Sequence, residues 1–467
     1  MDQDKEFLGK APVGRLLAKL AIPAVVAQLV NLLYNMVDRI YIGQYDATGL
    51  ALTGVGVCLP VIMMISAFAC LVGMGGAPQA SIFMGKREYD KAEKTMGNCF
   101  SLLVMISVAL TVGLSLFAKP ILLTFGASQS TIGPAMEYMN LYVLGTLFVQ
   151  ISLGMNAFIS AQGFTTVSML SVLIGAVLNI ILDPIFIFVL HMGVRGAALA
   201  TVLSQAVSAL WILRFLLGKK TVLRIQKKHL RIQWSYIGPC LALGVSPFIM
   251  QITESALNVC FNTSLLKYGG DIAVGAMTVL ATVMQFCMLP LQGLSQGAQP
   301  ITSYNYGARQ PERVKKSFQL LLLSSAAYTV ALWGCVMLFP EFFVRLFNQG
   351  NAALIDYACW AARIYFAVMC LMGVQLACQQ TLISIGNAKT SLFLAVLRKI
   401  ILLIPLIYIL PAIFQRQDMA VFLAEPIADF IAITTTVALF RVEFRKAMAS
   451  IAGPPAAVPE AGRQAQE

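Results

Sequence analysis

The chain has 467 residues, 58% of them hydrophobic and only 12% charged, with a net charge of +12. A soluble domain carries roughly 25% charged residues, which argues against a string of soluble domains. The ten Cys are scattered singly and the two His lie in or near loops, so neither a disulfide frame nor a metal centre is indicated.

Taken in chain order, residues 1–19 are polar and charged at both ends and lack the long apolar core of a cleavable signal. They are expected to form a cytoplasmic amino-terminal segment. Apolar runs then recur, each of roughly 20 residues and so long enough to cross about 30 Å of hydrocarbon as a helix. They lie near 20–41, 51–72, 95–117, 136–154, 167–190, 196–214, 236–262, 272–294, 317–339, 357–379, 391–413 and 419–440. None alternates with period two, so helices and not barrel strands satisfy the backbone. The expected fold class is an all-α polytopic membrane protein of twelve spans. The tail 446–467 is read as cytoplasmic and disordered, being rich in Pro, Ala and Gln at its end.

Most of the 33 Lys and Arg fall at the amino end, in the loops after even-numbered spans, and at the carboxyl end. The opposite side keeps Arg39, Lys119, Arg195, Lys267, Arg345, Arg363 and Arg416. That bias places both termini in the cytoplasm of a plasma (inner) membrane. The basic run Lys219–Arg231 then faces anionic lipid. It has no interleaved aromatic platform, so nucleic acid is not an expected partner.

The second half repeats the first. Gln28, Asn31 and Asn35 return as Gln251, Glu254 and Asn258. Ser81 and Gly85 return as Ser303 and Gly307, Tyr142 as Tyr365, and Gly163 as Gly386. Six spans per copy give both copies one orientation, which makes them parallel repeats related by an axis along the membrane normal. The expected lobes are 20–217 and 235–445, joined by the cytoplasmic linker 218–234.

In span 1, Gln28, Asn31, Asn35 and Asp38 share one helical face whose neighbour cannot be lipid. An Asp in mid-span costs about 2.5–3.5 kcal/mol on insertion scales. The bland alternative for Asp38 is a pair with Arg39 or a wet place near the outer end. In span 5, Asn179 and Asp183 lie four apart, and Pro184 removes one helical N–H and crowds the carbonyl of Ile180. Acid, amide and loosened turn together suit a proton or sodium ion. Thr201 and Gln205 of span 6 are placed to complete the set, although Thr201 alone could simply bond back to its own helix. Water-poor surroundings disfavour a charged carboxylate, and two neighbouring acids titrate as a pair.

Span 7 mirrors span 1. Glu254 shares a face with Gln251 and Asn258 beyond Pro247, and reads as the lone carboxylate of its lobe, suited to an organic cation. The alternative is a neutral Glu254 bonded to Asn258. Met250 and Met284 are candidate lining, soft enough to repack around varied ligands. Glu425 and Asp429 of span 12 follow the same logic less strongly, because their turns could be wet. No P-loop occurs, nor any catalytic motif such as G-x-S-x-G or H-E-x-x-H. The chain therefore reads as a non-enzyme that does not use ATP.

Several stretches resemble the multidrug and toxic-compound extrusion (MATE) family, across roughly residues 12–445. The sharpest are YNMVDRIYIGQ at Tyr34–Gln44 and NIILDPIF at Asn179–Phe186. GKREYDKAEK and YGARQPERVKK follow spans 2 and 8, and QGFTTVS and IGNAKTS follow spans 4 and 10. The details are closest to the MepA-like branch. The resemblance implies twelve helices in two lobes around a V-shaped cavity, and antiport of small cationic amphipathic molecules against H+ or Na+, with no other cofactor. It implies a cation-coupling network at Asp38, Asn179, Asp183 and Thr201, with Na+ as a candidate ion at the first three. Glu254 resembles the span-7 acid that some members use for sodium or drug, and Tyr34 joins Gln28, Asn31 and Asn35 as expected substrate lining. Those members also carry an Asp in span 10, where this chain has Gln375, so the amino lobe is the stronger candidate. The chain is expected to act as a monomer. The alternatives are a lipid-linked saccharide flippase, which favours a more basic cavity, and a channel or scaffold.

Overall fold

The computed structural model describes residues 6–46, 49–347 and 352–452. After a short helix α1 (Phe7–Lys10) come α2 (Val13–Tyr45), α3 (Leu50–Gly85), α4 (Tyr89–Thr124), α5 (Ile132–Leu144), α6 (Thr146–Ala161), α7 (Thr165–Pro184) and α8 (Val194–Leu217). The second half holds α9 (Trp234–Gly307), α10 (Pro311–Leu338), α11 (Pro340–Phe347), α12 (Ala352–Tyr365), α13 (Met372–Ser384), α14 (Ala388–Val396), α15 (Ile404–Ile413) and α16 (Gln417–Ala452).

Among the described residues, nine helices are long and apolar enough to span a membrane, and two bent pairs raise the number to eleven. The pairs are α5 with α6, bent by 58°, and α12 with α13, bent by 49°. The longest helix, α9, is 74 residues and breaks at Gly270, whose φ of 67° is left-handed. Unbroken it would reach about 110 Å, several times the hydrocarbon thickness, so it counts as two spans. The total is the expected twelve.

Two boundaries differ from the sequence reading. Helix α2 begins at Val13, so only the residues before it form a separate segment. Helix α16 continues through Ala452, so the stretch 446–452 of the expected tail is helical, while 453–467 lies outside the described residues.

The apolar core shows how the lobes are arranged. One cluster is shared: Leu20, Val72, Met96 and Phe158 of the first half pack with Cys240, Ala298, Ile301 and Tyr304 of the second. Two other large clusters stay within one lobe each. One holds Ile42, Cys58, Tyr138 and Ile187, and the other holds Leu257, Met277, Phe366 and Phe422. The lobes are therefore fused at the end that carries the linker and part at the other end.

The fusion needs glycine. A Cβ on Gly75 would stand 2.0 Å from the Cys240 carbonyl oxygen, and one on Gly244 would stand 1.7 Å from that of Leu71. The repeated glycines act reciprocally, Gly85 against Tyr304 and Gly307 against Ile82, each with 2.0 Å to a carbonyl oxygen. Close backbone approach of this kind is what small residues permit between membrane helices.

The amino-terminal segment straps this fused end. The Leu8 carbonyl accepts from Arg313 at 3.0 Å and from Asn305 at 3.1 Å, and the Ala11 carbonyl accepts from Arg313 at 2.7 Å. Glu6 pairs with Arg87 of the other lobe at 2.6 Å. A hydrogen bond from Lys10 and the charge of Arg87 hold the Glu6 carboxyl below its usual range. The linker packs on the amino lobe. Gln162 accepts from the backbone of Val222 and Leu223, and His229 lies 3.4 Å from the Asp90 carboxylate.

Candidate functional site

The amino-lobe candidates converge where α2, α7 and α8 meet. Helix α2 packs along α7, and α7 along α8. Asp183 is fully buried and Asn179 is 2% exposed. The Asn179 amide donates to Asp183 Oδ1 at 3.3 Å and to Thr201 Oγ1 at 3.4 Å. The Thr201 hydroxyl also bonds back to Ala197 at 3.0 Å, as its bland reading expected. Asp38 reaches in from α2, its carboxyl within hydrogen-bonding reach of Asp183, with Arg39 acting only at longer range. Tyr34 lies within electrostatic reach of both acids, and Tyr138 is in hydrogen-bonding reach of Thr201.

Helix α7 gives way beside the acid. Residues Ile185–Val189, directly after Pro184, form a π-helical turn. Proline breaks the regular ladder, and the wider turn takes up the misfit.

Among the described residues, three buried oxygens at this junction have no hydrogen-bond partner: Asp38 Oδ1, Asn179 Oδ1 and Asp183 Oδ2. All three are acceptors. Buried acceptors left unmatched are costly, and two carboxylates in contact repel each other. The group that satisfies such a set is a proton or a small cation, which the donor chemistry fits. Gln205 does not join it, because its Oε1 accepts from Ser152 at 2.5 Å.

The remaining stripe residues lie on α2 and the first half of α9, one helix from each lobe. Gln28, Asn31 and Gln251 are half-buried, whereas Asn35, Glu254 and Asn258 are exposed. Polar groups at mid-span do not face lipid, so they face the opening. The lobes still touch there, with Ser255 Oγ 3.6 Å from Met63 Sδ. The Asn35 amide bonds back to the Asn31 carbonyl at 2.6 Å. The Met250 sulfur accepts from Gln379 at 3.3 Å, and Met284 packs on the carboxy-lobe core.

The carboxy lobe corrects the sequence reading. Glu254 is not a lone carboxylate: Lys399 pairs with its Oε2 at 2.8 Å. Nor are Glu425 and Asp429 wet, being 6% and 3% exposed. Arg398 bonds Asp429 at 2.6 Å and lies 3.6 Å from Glu425. Both cations had been counted with the flank of span 11. That span in fact starts at Ala388, which puts them about 15 Å along it at 1.5 Å per residue, in a π-helical turn, Leu397–Leu403. Their place inside the expected span 391–413, and not before it, was the signal that could have placed them. Gln375 is 3% exposed and neither polar atom of its amide has a partner.

The comparisons agree with this architecture. The MatE family model matches residues 23–185 and again 247–409, once per lobe. A multidrug export protein, MepA, of Staphylococcus haemolyticus (strain JCSC1435) is 24% identical over 434 residues, covering 92% of this chain and 95% of that protein. MepA of Staphylococcus aureus (strain NCTC 8325 / PS 47) is 25% identical over 415 residues, covering 88% and 90%. A crystal structure of MATE in the bent conformation superposes with a TM-score of 0.90 at 23% identity, covering 96% of this chain and 99% of that one.

Proposed function

The chain belongs to the MatE family, and on that premise we propose that it is a secondary exporter of small cationic amphipathic molecules, exchanging them for H+ or Na+ by alternating access. The observation that carries this reading is the trio of unmatched buried oxygens on Asp38, Asn179 and Asp183. The relatives named as multidrug export proteins support drug export by analogy, and the acidic residues at mid-span support a cationic cargo.

The fused end bears the basic linker, which the charge bias assigns to the cytoplasm. The opening between the lobes then faces outward. A cation from outside reaches Asp38 and Asp183 and removes their mutual repulsion. Asp38 sits on α2 and Asp183 on α7, so occupancy draws those helices together, and the turn after Pro184 is where α7 bends. Coupling requires only that the loaded and empty junctions prefer different helix geometries. Cargo is held on the polar stripes of α2 and α9 and released outward when the coupling ion binds.

The test is efflux of ethidium from proteoliposomes with pH and sodium gradients imposed separately. Export driven by one gradient and lost in Asp183→Asn supports the reading. Dye movement indifferent to both gradients sinks it. The alternative reading, a lipid-linked saccharide flippase, predicts no dye transport under either gradient.

A further inference from the structure

Five charged side chains meet inside the carboxy lobe: Glu254, Arg398, Lys399, Glu425 and Asp429. Two are cations and three are carboxylates, so one negative charge is unbalanced. The distances locate it. Asp429 has Arg398 at 2.6 Å and Glu254 has Lys399 at 2.8 Å, whereas the nearest cation to Glu425 is Arg398 at 3.6 Å. Lys399 also lies within electrostatic reach of Glu425, and Tyr365 stands in the field of the three acids.

The two pairs differ in access. The Arg398 and Asp429 side chains are 11% and 4% exposed, while the Glu254 side chain is 54% exposed. Lys399, at 9%, reaches Glu254 from behind. Neighbouring residues of a regular helix diverge by about 100°, and the π-helical turn at Leu397–Leu403 lets both cations face inward.

Resting on the exporter reading above, we propose that Lys399 determines the specificity of the carboxy lobe: its ammonium holds Glu254 as a tethered competitor, and a singly charged organic cation takes Glu254 by displacing Lys399 onto Glu425. The exchange balances. Before it, Glu425 only shares Arg398 with Asp429. After it, Glu254 holds the cargo, Glu425 holds Lys399, Asp429 holds Arg398, and the excess charge is gone. A neutral molecule has no means of moving Lys399, and a dication leaves the lobe with surplus positive charge.

The test measures binding of tetraphenylphosphonium to the purified full-length protein. Lys399→Met removes the competitor and is expected to bind about tenfold more tightly, the scale of one close charge pair. Lys399→Arg keeps a tethered cation and stays near the wild-type value. Glu425→Gln removes the landing site and weakens binding when Lys399 is present, but has no effect in the Lys399→Met background, a coupling that a double-mutant cycle reads directly. If Lys399→Met alone is unstable, Lys399→Met with Glu425→Gln keeps the wild-type net charge and carries the same expected gain. Unchanged or weaker binding by the folded variants, or additive effects of the two substitutions, overturns this inference alone. No binding by wild type or variants overturns it together with the exporter reading.

Discussion

The two lobes repeat one scaffold and solve opposite electrostatic problems on it. In the amino lobe, Asp38 and Asp183 meet with no basic side chain bonded to either, and their neighbours offer Asn and Thr groups. In the carboxy lobe each of the three interior acids, Glu254, Glu425 and Asp429, has a cation within 4.0 Å supplied by the chain itself. A buried carboxylate without a counter-charge is far costlier than one in a well-made pair. The first arrangement therefore stays incomplete until something binds, while the second is nearly complete from the start. The two copies of the scaffold thus carry different charge arrangements at a few inward positions.

Four experiments test that contrast. The largest effect is expected for Asp183→Asn. The amide fits the same space and removes the charge, so the protein folds while gradient-driven efflux falls on the order of 100-fold, the consequence of losing ion-dependent bias between two conformations. Normal coupled transport by this variant would erase the distinction between the lobes. Next is Arg398→Met, which strands Glu425 and Asp429 in the interior. Breaking one side of a buried pair costs about 3–5 kcal/mol, read as a drop in thermal midpoint in detergent. Recovery of most of that loss by adding Asp429→Asn would assign the penalty to the stranded charge and not to lost packing.

Glu254→Gln comes third. It frees Lys399 and is expected to weaken binding of a cationic dye about tenfold, while the response of transport to the driving gradient is expected to stay in place, since the proposed coupling site lies in the other lobe. An unchanged affinity would remove Glu254 from the cargo path. The smallest effect is expected for Thr201→Val, which deletes one acceptor of the Asn179 amide and costs about 1 kcal/mol. The apparent affinity for the coupling ion should weaken several-fold with the maximal rate little changed. A change in rate alone would contradict a positioning role for Thr201.

Much of this molecule is legible in its sequence. Hydropathy located twelve spans, and the recurrence of Gly85 as Gly307 revealed the duplication. The stripe through Gln28, Asn31, Asn35 and Asp38 and the Asn179–Asp183–Pro184 cluster led to the amino-lobe junction. The crossing of Gly85 and Gly307 between the lobes then explains why those glycines recur. What stayed hidden was partnership. Glu254 and Lys399 are 145 residues apart and Arg398 and Asp429 are 31 apart. Gln205 sits on the right helix but bonds Ser152 instead of the acid cluster.

The division has a physical basis. A bilayer of fixed thickness imposes a length and an apolar composition on every span, and helical periodicity places polar residues on one face. Both are local properties that residue order states directly. Which charge meets which depends on how rigid helices cross, on the π-helical turn that brings Arg398 and Lys399 inward together, and on where α12 and α13 bend. These are properties of the packed bundle, and they decided that one lobe would lack a cation while the other carries its own.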